Sequence, residues 1–126
     1  MLCIKTKIKP SQIAGIGLFA DEHIPKGTIV WKFEPLLDTL FSKEEIDILS
    51  KPSQEQFHNY AFFDNTHNKY MLCGDDGRFF NHSDNPNCND ELPDVTIALK
   101  DIDTGEELTV NYKNFYGDIK DHPEIS

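Results

Sequence analysis

The chain has 126 residues, 38% of them hydrophobic, and carries 22 acidic against 12 basic side chains for a formal charge of −10. That length suits one domain with a limited core, and no apolar run reaches the roughly 20 residues a membrane helix needs. The acidic balance argues against nucleic-acid binding, which depends on Lys and Arg neutralising phosphates.

A negative surface suits a basic partner, although it serves solubility equally well. Met1-Leu2-Cys3-Ile4-Lys5 leads into a polar run without the apolar stretch of a signal peptide. A soluble intracellular protein, cytoplasmic or nuclear, is therefore expected. Cys3, Cys73 and Cys88 are scattered and form no C-x-x-C pair, so no metal site is expected and reduced thiols are the simplest account.

In chain order, Cys3–Lys9 alternates as a strand does, with Ile4, Thr6 and Ile8 on one face and Pro10 as its end. Gly15-Ile16-Gly17 reads as a tight turn and Leu18-Phe19-Ala20 as the next strand. After the turn Pro25-Lys26-Gly27, Thr28–Phe33 should put Ile29, Trp31 and Phe33 on one face. Ser42-Lys43-Glu44-Glu45 is a capping box that opens a helix, which Lys51-Pro52 should end. Ser53-Gln54-Glu55-Gln56 offers a second, weaker helix start.

Tyr70–Cys73 reads as a strand, stopped by the polar turn Gly74–Gly77. Asp94–Lys100 and Glu107–Tyr112 read as strands around the turn Asp103–Glu106, whose glycine can take positive φ. The expectation is a mainly β single domain, residues 1–126, with a short helical insert. Its core spans about residues 4–117, and residues 118–126 form a frayed tail.

Three segments carry the functional signal. Gly15-x-Gly17 lacks the third glycine and the following helix of a dinucleotide fingerprint, since Ala20 and Pro25 follow it. What remains is either an ordinary turn or a place where a ligand approaches the backbone closely. Arg-Phe-Phe-Asn-His-Ser-Asp-Asn-Pro-Asn-Cys at 78–88 is more specific than an Asx-rich loop requires. Gly-Glu-Glu-Leu-Thr-Val-Asn-Tyr at 105–112 completes the set.

In this order the segments resemble the SET-domain protein lysine methyltransferases. The resemblance implies a β-clip-like fold of small curved sheets, with a C-terminal segment threaded beneath a preceding loop. It also implies S-adenosyl-L-methionine as cofactor and a basic protein substrate, a histone or another, that presents a lysine. Gly15, Ile16, Gly17, Arg78, Phe79, Asn81, His82 and Tyr112 would bind the cofactor. Asn81 would serve its amino-acid end and the His82 backbone its adenine edge, while the His82 ring keeps an ordinary buried role.

The Tyr112 hydroxyl would stand at the methyl-transfer centre. Tyr60 would be a second active-site tyrosine, with Tyr70 as the alternative for that role and a plain core position as the other reading of either. Phe115 and Tyr116 would line the lysine channel or simply anchor the tail. Cys88 would be a small buried hydrophobe, there being no cysteine-rich tail to share a zinc with it. Such a minimal domain would complete its site through its own tail or through a second copy, as a homodimer. Glu34, Glu106 and Glu107 read as surface or turn carboxylates.

The rival functional class is a catalytically silent module that holds a lysine-bearing segment. A Ser or Cys hydrolase built on His82 with Ser83 or Cys88 ranks last, for want of nucleophile-elbow spacing.

Overall fold

The structure is a computed structural model that describes residues 1–112. The candidates Phe115 and Tyr116 and the expected tail lie outside the described residues. Among the described residues ten short strands form four small sheets, so the mainly β expectation holds.

β1 (Thr6–Pro10) and β2 (Ile16–Ala20) form an antiparallel hairpin in register from Thr6↔Ala20 to Pro10↔Ile16. The alternation read there holds for Ile4 and Thr6, which are half-buried between exposed neighbours, and fails at Ile8, which is exposed. The proline closes the strand, where its missing N–H matters little. β3 (Ile29–Lys32) pairs with β9 (Val95–Ala98), which pairs in turn with β8 (Cys88–Asn89).

A register irregularity between Ile29 and Trp31 breaks the expected period of two. Val30 and Trp31 are both buried and Ile29 is exposed. A bulge sends consecutive side chains inward, which a strict alternation cannot anticipate.

β4 (Thr39–Phe41), β5 (Phe62–Asp64) and β6 (Lys69–Leu72) make a third sheet in the order β4-β6-β5. Between β4 and β5 lie α1 (Lys43–Asp47) and α2 (Lys51–Tyr60). The capping box forms as expected: Ser42 Oγ accepts from the Glu45 N–H, and the Glu45 carboxylate from the Ser42 N–H. The Ser42 backbone N–H first, and then its hydroxyl, hold the Glu45 carboxyl below its ordinary range.

Lys51-Pro52 does not end α1; it opens α2. Ser50 is the N-cap, accepting from the Ser53 N–H, and Pro52 sits in the first turn. Proline is tolerated there because its missing N–H would have had no helical partner. The polar turn before Arg78 also contains a 3₁₀ turn (Asp76–Phe79) capped by Asp75.

The last sheet is two residues wide on each side: β7 (Asn81–His82) runs parallel to β10 (Thr109–Val110). Just upstream, the same C-terminal segment pairs with β2, through the Phe19↔Glu107 bridge and the Leu108 N–H to Leu18 carbonyl bond of 2.7 Å. From its other side Asn87 grips β10. Its amide donates to the Glu107 carbonyl at 2.8 Å and its Oδ1 accepts from the Thr109 N–H at 2.9 Å.

Held on both sides, Leu108, Thr109 and Val110 are all buried. Burial of a Leu or Val side chain contributes about 1.5–3 kcal/mol. Leu18, Ile24, Val30, Ile102 and Cys88 lie in the same core. Cys88 is fully buried as expected, and burial pushes its thiol up to about 12, as it does for Cys73. No described helix is long and apolar enough to cross a membrane.

Candidate active site

The strand pairing brings the three sequence segments together. The Phe19↔Glu107 bridge sets the Gly15–Gly17 loop beside Glu107, and the parallel β7–β10 pair sets Asn81 beside Thr109. Asn81 Nδ2 donates to the Glu107 carboxylate at 2.8 Å, the Ala14 carbonyl at 3.1 Å and the Ile16 carbonyl at 3.4 Å. Ser11 Oγ donates to the same carboxylate, within 2.8–2.9 Å of both oxygens. Glu107 is thus the hub of this cluster rather than a turn carboxylate. Only its place inside the Gly-Glu-Glu-Leu-Thr segment hinted at that.

The two glycines of the loop do different work. Gly15 takes φ of +45°, with open space where a Cβ would lie. At Gly17 a Cβ would stand 2.4 Å from Glu107 Oε2 and 3.0 Å from the Ser11 Cβ. Because Ser11 and Asn81 both hold Glu107, that carboxylate cannot withdraw freely. Were a cofactor to sit against this loop, Gly17→Ala would weaken its binding at least about tenfold, about 1.4 kcal/mol. The loss should be larger than for Gly15→Ala, as read by calorimetry.

Tyr112 follows β10 directly. Its hydroxyl donates to the Phe80 carbonyl at 2.7 Å, and its backbone N–H donates to His82 Nδ1 at 3.1 Å. Because Nδ1 accepts, the ring proton lies on Nε2, which faces Asp84 Oδ1 at 2.9 Å. The His82 ring therefore steadies the tyrosine backbone, a specific task that the sequence does not announce. Burial, and secondarily the Glu107 carboxylate, push the Tyr112 phenol up to about 12.

A tyrosine whose folded pKa is raised favours the fold while it is neutral. That contribution is complete below its ordinary value of about 10 and is lost as pH climbs through about 12. In an alkaline absorbance titration, a phenol that ionises near pH 12 in the wild type should be missing from Tyr112→Phe.

On the other side of Tyr112 lies a cavity of about 210 Å³. Tyr112, Tyr60, Phe80, Arg78 and Trp31 are on its wall. Tyr60 closes α2, packs edge-on against Phe79 with ring centroids 5.8 Å apart, and lies beneath the Arg78 guanidinium at 5.9 Å. Of the two tyrosines weighed from sequence, Tyr60 lines the cavity. Tyr70 instead packs on Phe63.

Arg78 and Phe79 stand on this Tyr60 side, whereas Asn81 belongs to the Gly15–Glu107 cluster and does not line the cavity. Phe80, which accepts from the Tyr112 hydroxyl, lines the cavity and directly precedes Asn81. Asp64, His67 and Asp94 bring three potential ligand atoms within 4.8 Å of one another, with Asp64 and Asp94 on the cavity wall. Sequence spacing gave no sign of that group.

The cluster suits S-adenosyl-L-methionine in its donor chemistry. The Ala14 and Ile16 carbonyls and the partly buried Glu107 carboxylate favour a cationic ligand, and the open face at Gly15 leaves room for one. These features agree with ammonium and sulfonium groups. Residues 14–17, Asn81 and Glu107 would hold such a cofactor.

Comparisons with known proteins converge on one family. The family model described as "SET domain" matches residues 15–113. The H3 lysine-36-specific histone-lysine N-methyltransferase of Mycosarcoma maydis is 31% identical over 121 residues, covering 86% of this chain and 12% of that protein. Histone-lysine N-methyltransferase set5 of Schizosaccharomyces pombe is 29% identical, covering 94% of this chain and 44% of that protein. The chain thus spans less than half the length of either curated relative.

Among solved structures, a humanized mutant of Chaetomium thermophilum Polycomb Repressive Complex 2 bound to the inhibitor GSK126 aligns with a TM-score of 0.63 and 26% identity. That match covers 89% of this chain and 15% of the other. With a family match over residues 15–113 and the small-sheet fold in place, the chain belongs to the SET-domain family.

Proposed function

We propose that this chain is an S-adenosyl-L-methionine-dependent protein-lysine N-methyltransferase that acts on a basic protein such as a histone. The observation that carries this reading is the position of the Tyr112 hydroxyl. It donates to the Phe80 carbonyl, next in sequence to Asn81 of the acceptor-rich cluster, and Tyr112 lines a cavity with aromatic rings in its wall.

Methyl transfer to an amine is an in-line displacement, so alignment is most of the task. A free lysine has a pKa of roughly 10.4, leaving on the order of one part in a thousand neutral near pH 7.4. The wall formed by Trp31, Tyr60, Phe62 and Tyr112 disfavours the ammonium by desolvation. When bound, S-adenosyl-L-methionine supplies the electrophilic methyl on a sulfonium, whose positive charge also favours a neutral amine beside it.

The Tyr112 phenol is neutral, so it adds no negative charge that would hold the amine protonated. Its oxygen and the Phe80 carbonyl offer acceptors at the junction for the amine N–H and for weak C–H···O contacts. Asn81 and Glu107 fix the loop 14–17 on one side, and Tyr60 walls the other. No described carboxylate is required as a general base, since the proton can pass to water.

Incubating the chain with core histones and methyl-labelled S-adenosyl-L-methionine tests the proposal. Label on lysine, abolished by heat-denaturing the protein, is the expected outcome. Cofactor binding without transfer to any basic protein would instead identify a silent module.

A further inference from the structure

The cavity differs in character along its length. Around Met71 and Val110 it is buried and apolar, with Phe62 and Tyr112 half-buried beside them and Arg78 on the same wall. Its exposed end is formed by Glu91, Leu92 and Asp94. Among the described residues, neither the Glu91 nor the Asp94 carboxylate has a hydrogen-bond donor. Asp94 Oδ1 comes only within 3.8 Å of His67 Nδ1, and that nitrogen is already held by Asp64, whose side chain is 13% exposed.

A separate observation indicates that the cavity takes an occupant. Trp31 lines it and is 6% exposed, yet its Nε1–H has no acceptor among the described residues. Gly77 lies next to that edge, its Cβ position 3.2 Å from Nε1, and Gly77 also lines the cavity. A buried N–H left unpaired costs about 1–3 kcal/mol, which an occupant bearing a carbonyl would offset.

We propose that the exposed end of the cavity is a specificity subsite, where Asp94 and Glu91 bind a basic side chain flanking the lysine to be methylated. This rests on the methyltransferase reading above and narrows its substrate class to peptides with a second cation near the target. Charge complementarity supports it: two carboxylates without donors stand at the mouth, and the flanking His67 is engaged by Asp64. Arginine suits such a site because its planar fork reaches carboxylates through paired N–H donors.

The test uses short glycine-serine peptides that carry one lysine and a single arginine moved along the flanks. Anisotropy of fluorescently labelled peptides measures binding, and labelled S-adenosyl-L-methionine measures transfer. One register should bind about tenfold tighter than its alanine counterpart, about 1.4 kcal/mol. That preference should vanish in the double variant Asp94→Asn, Glu91→Gln. In Asp94→Lys, Glu91→Lys it should pass to glutamate at the same register.

An arginine that helps equally at every position would report long-range attraction to an acidic protein and overturn the subsite. So would a register preference that survives the double variant. Failure of the two readings is distinguishable. Arginine-selective binding without methyl transfer removes the enzyme and keeps the subsite, whereas transfer without a register preference removes the subsite alone.

Discussion

Tyr112→Phe should lower methyl transfer about 100-fold or more while leaving cofactor affinity within about twofold. The ring stays, so its packing on the core and against His82 is retained, and only the hydroxyl disappears. That hydroxyl donates to the Phe80 carbonyl at 2.7 Å. It ties a cavity-lining residue to the backbone just before β7, next to Asn81. Its loss removes an orienting acceptor from the junction and frees the Phe80 carbonyl.

Because the phenol stays neutral up to about pH 12, the activity lost should be the same at pH 7 and pH 9. A residual rate rising with pH in parallel with the wild type fits an orienting phenol. A ratio between the two that widens tenfold per pH unit would mean that tyrosinate is the working form. Single-turnover rates with saturating cofactor, alongside calorimetry, separate transfer from binding.

The second large effect concerns stability. Asn87→Ala removes the donor to the Glu107 carbonyl and the acceptor for the Thr109 N–H. Thr109 is 7% exposed, so water does not readily replace the lost partner. Each orphaned group costs about 1–3 kcal/mol. A net loss of roughly 3 kcal/mol, on the order of 10 °C in Tm, is expected for a domain this size.

Asn89→Ala is the natural comparison, since among the described residues that side chain accepts only from the Glu91 N–H near the surface. It should cost about 1 kcal/mol at most. Asn87→Ala should also reduce transfer more than its stability loss explains at a temperature where the fold is intact. β10 leads directly into Tyr112, and a 1 Å displacement of a reacting group can cost about 100-fold. Thermal melts followed by assays well below the midpoint measure the two separately.

Much of the site was legible because it lies in short contiguous strings. Residues 78–88 and 105–112 named the family, and Ser42 with Glu45 announced a cap that the helix uses. What stayed hidden depends on contacts distant in sequence. Glu107–Tyr112 read as a strand, but β7 is two residues long and pairs in parallel with β10 from 28 residues away in register, so no periodicity could reveal it. Glu107 reads as a turn carboxylate until Ser11 and Asn81 arrive from 96 and 26 residues away.

Pro52 looked like a stop because proline breaks a helix interior. Ser50 two residues earlier makes it part of a first turn instead. At Trp31 a bulge overturned the alternation and placed the indole on the cavity wall. Local chemistry was readable there; register was not.

Crystallising the chain with S-adenosylhomocysteine and a lysine-bearing peptide tests the central claim most directly. The thioether sulfur should lie on the Gly15–Asn81–Glu107 side and the lysine nitrogen in the aromatic cavity, with the Tyr112 hydroxyl beside the line joining them. A cofactor product seated inside that cavity, or one more than about 10 Å from the Tyr112 hydroxyl and so beyond the near-attack distances transfer needs, would contradict it.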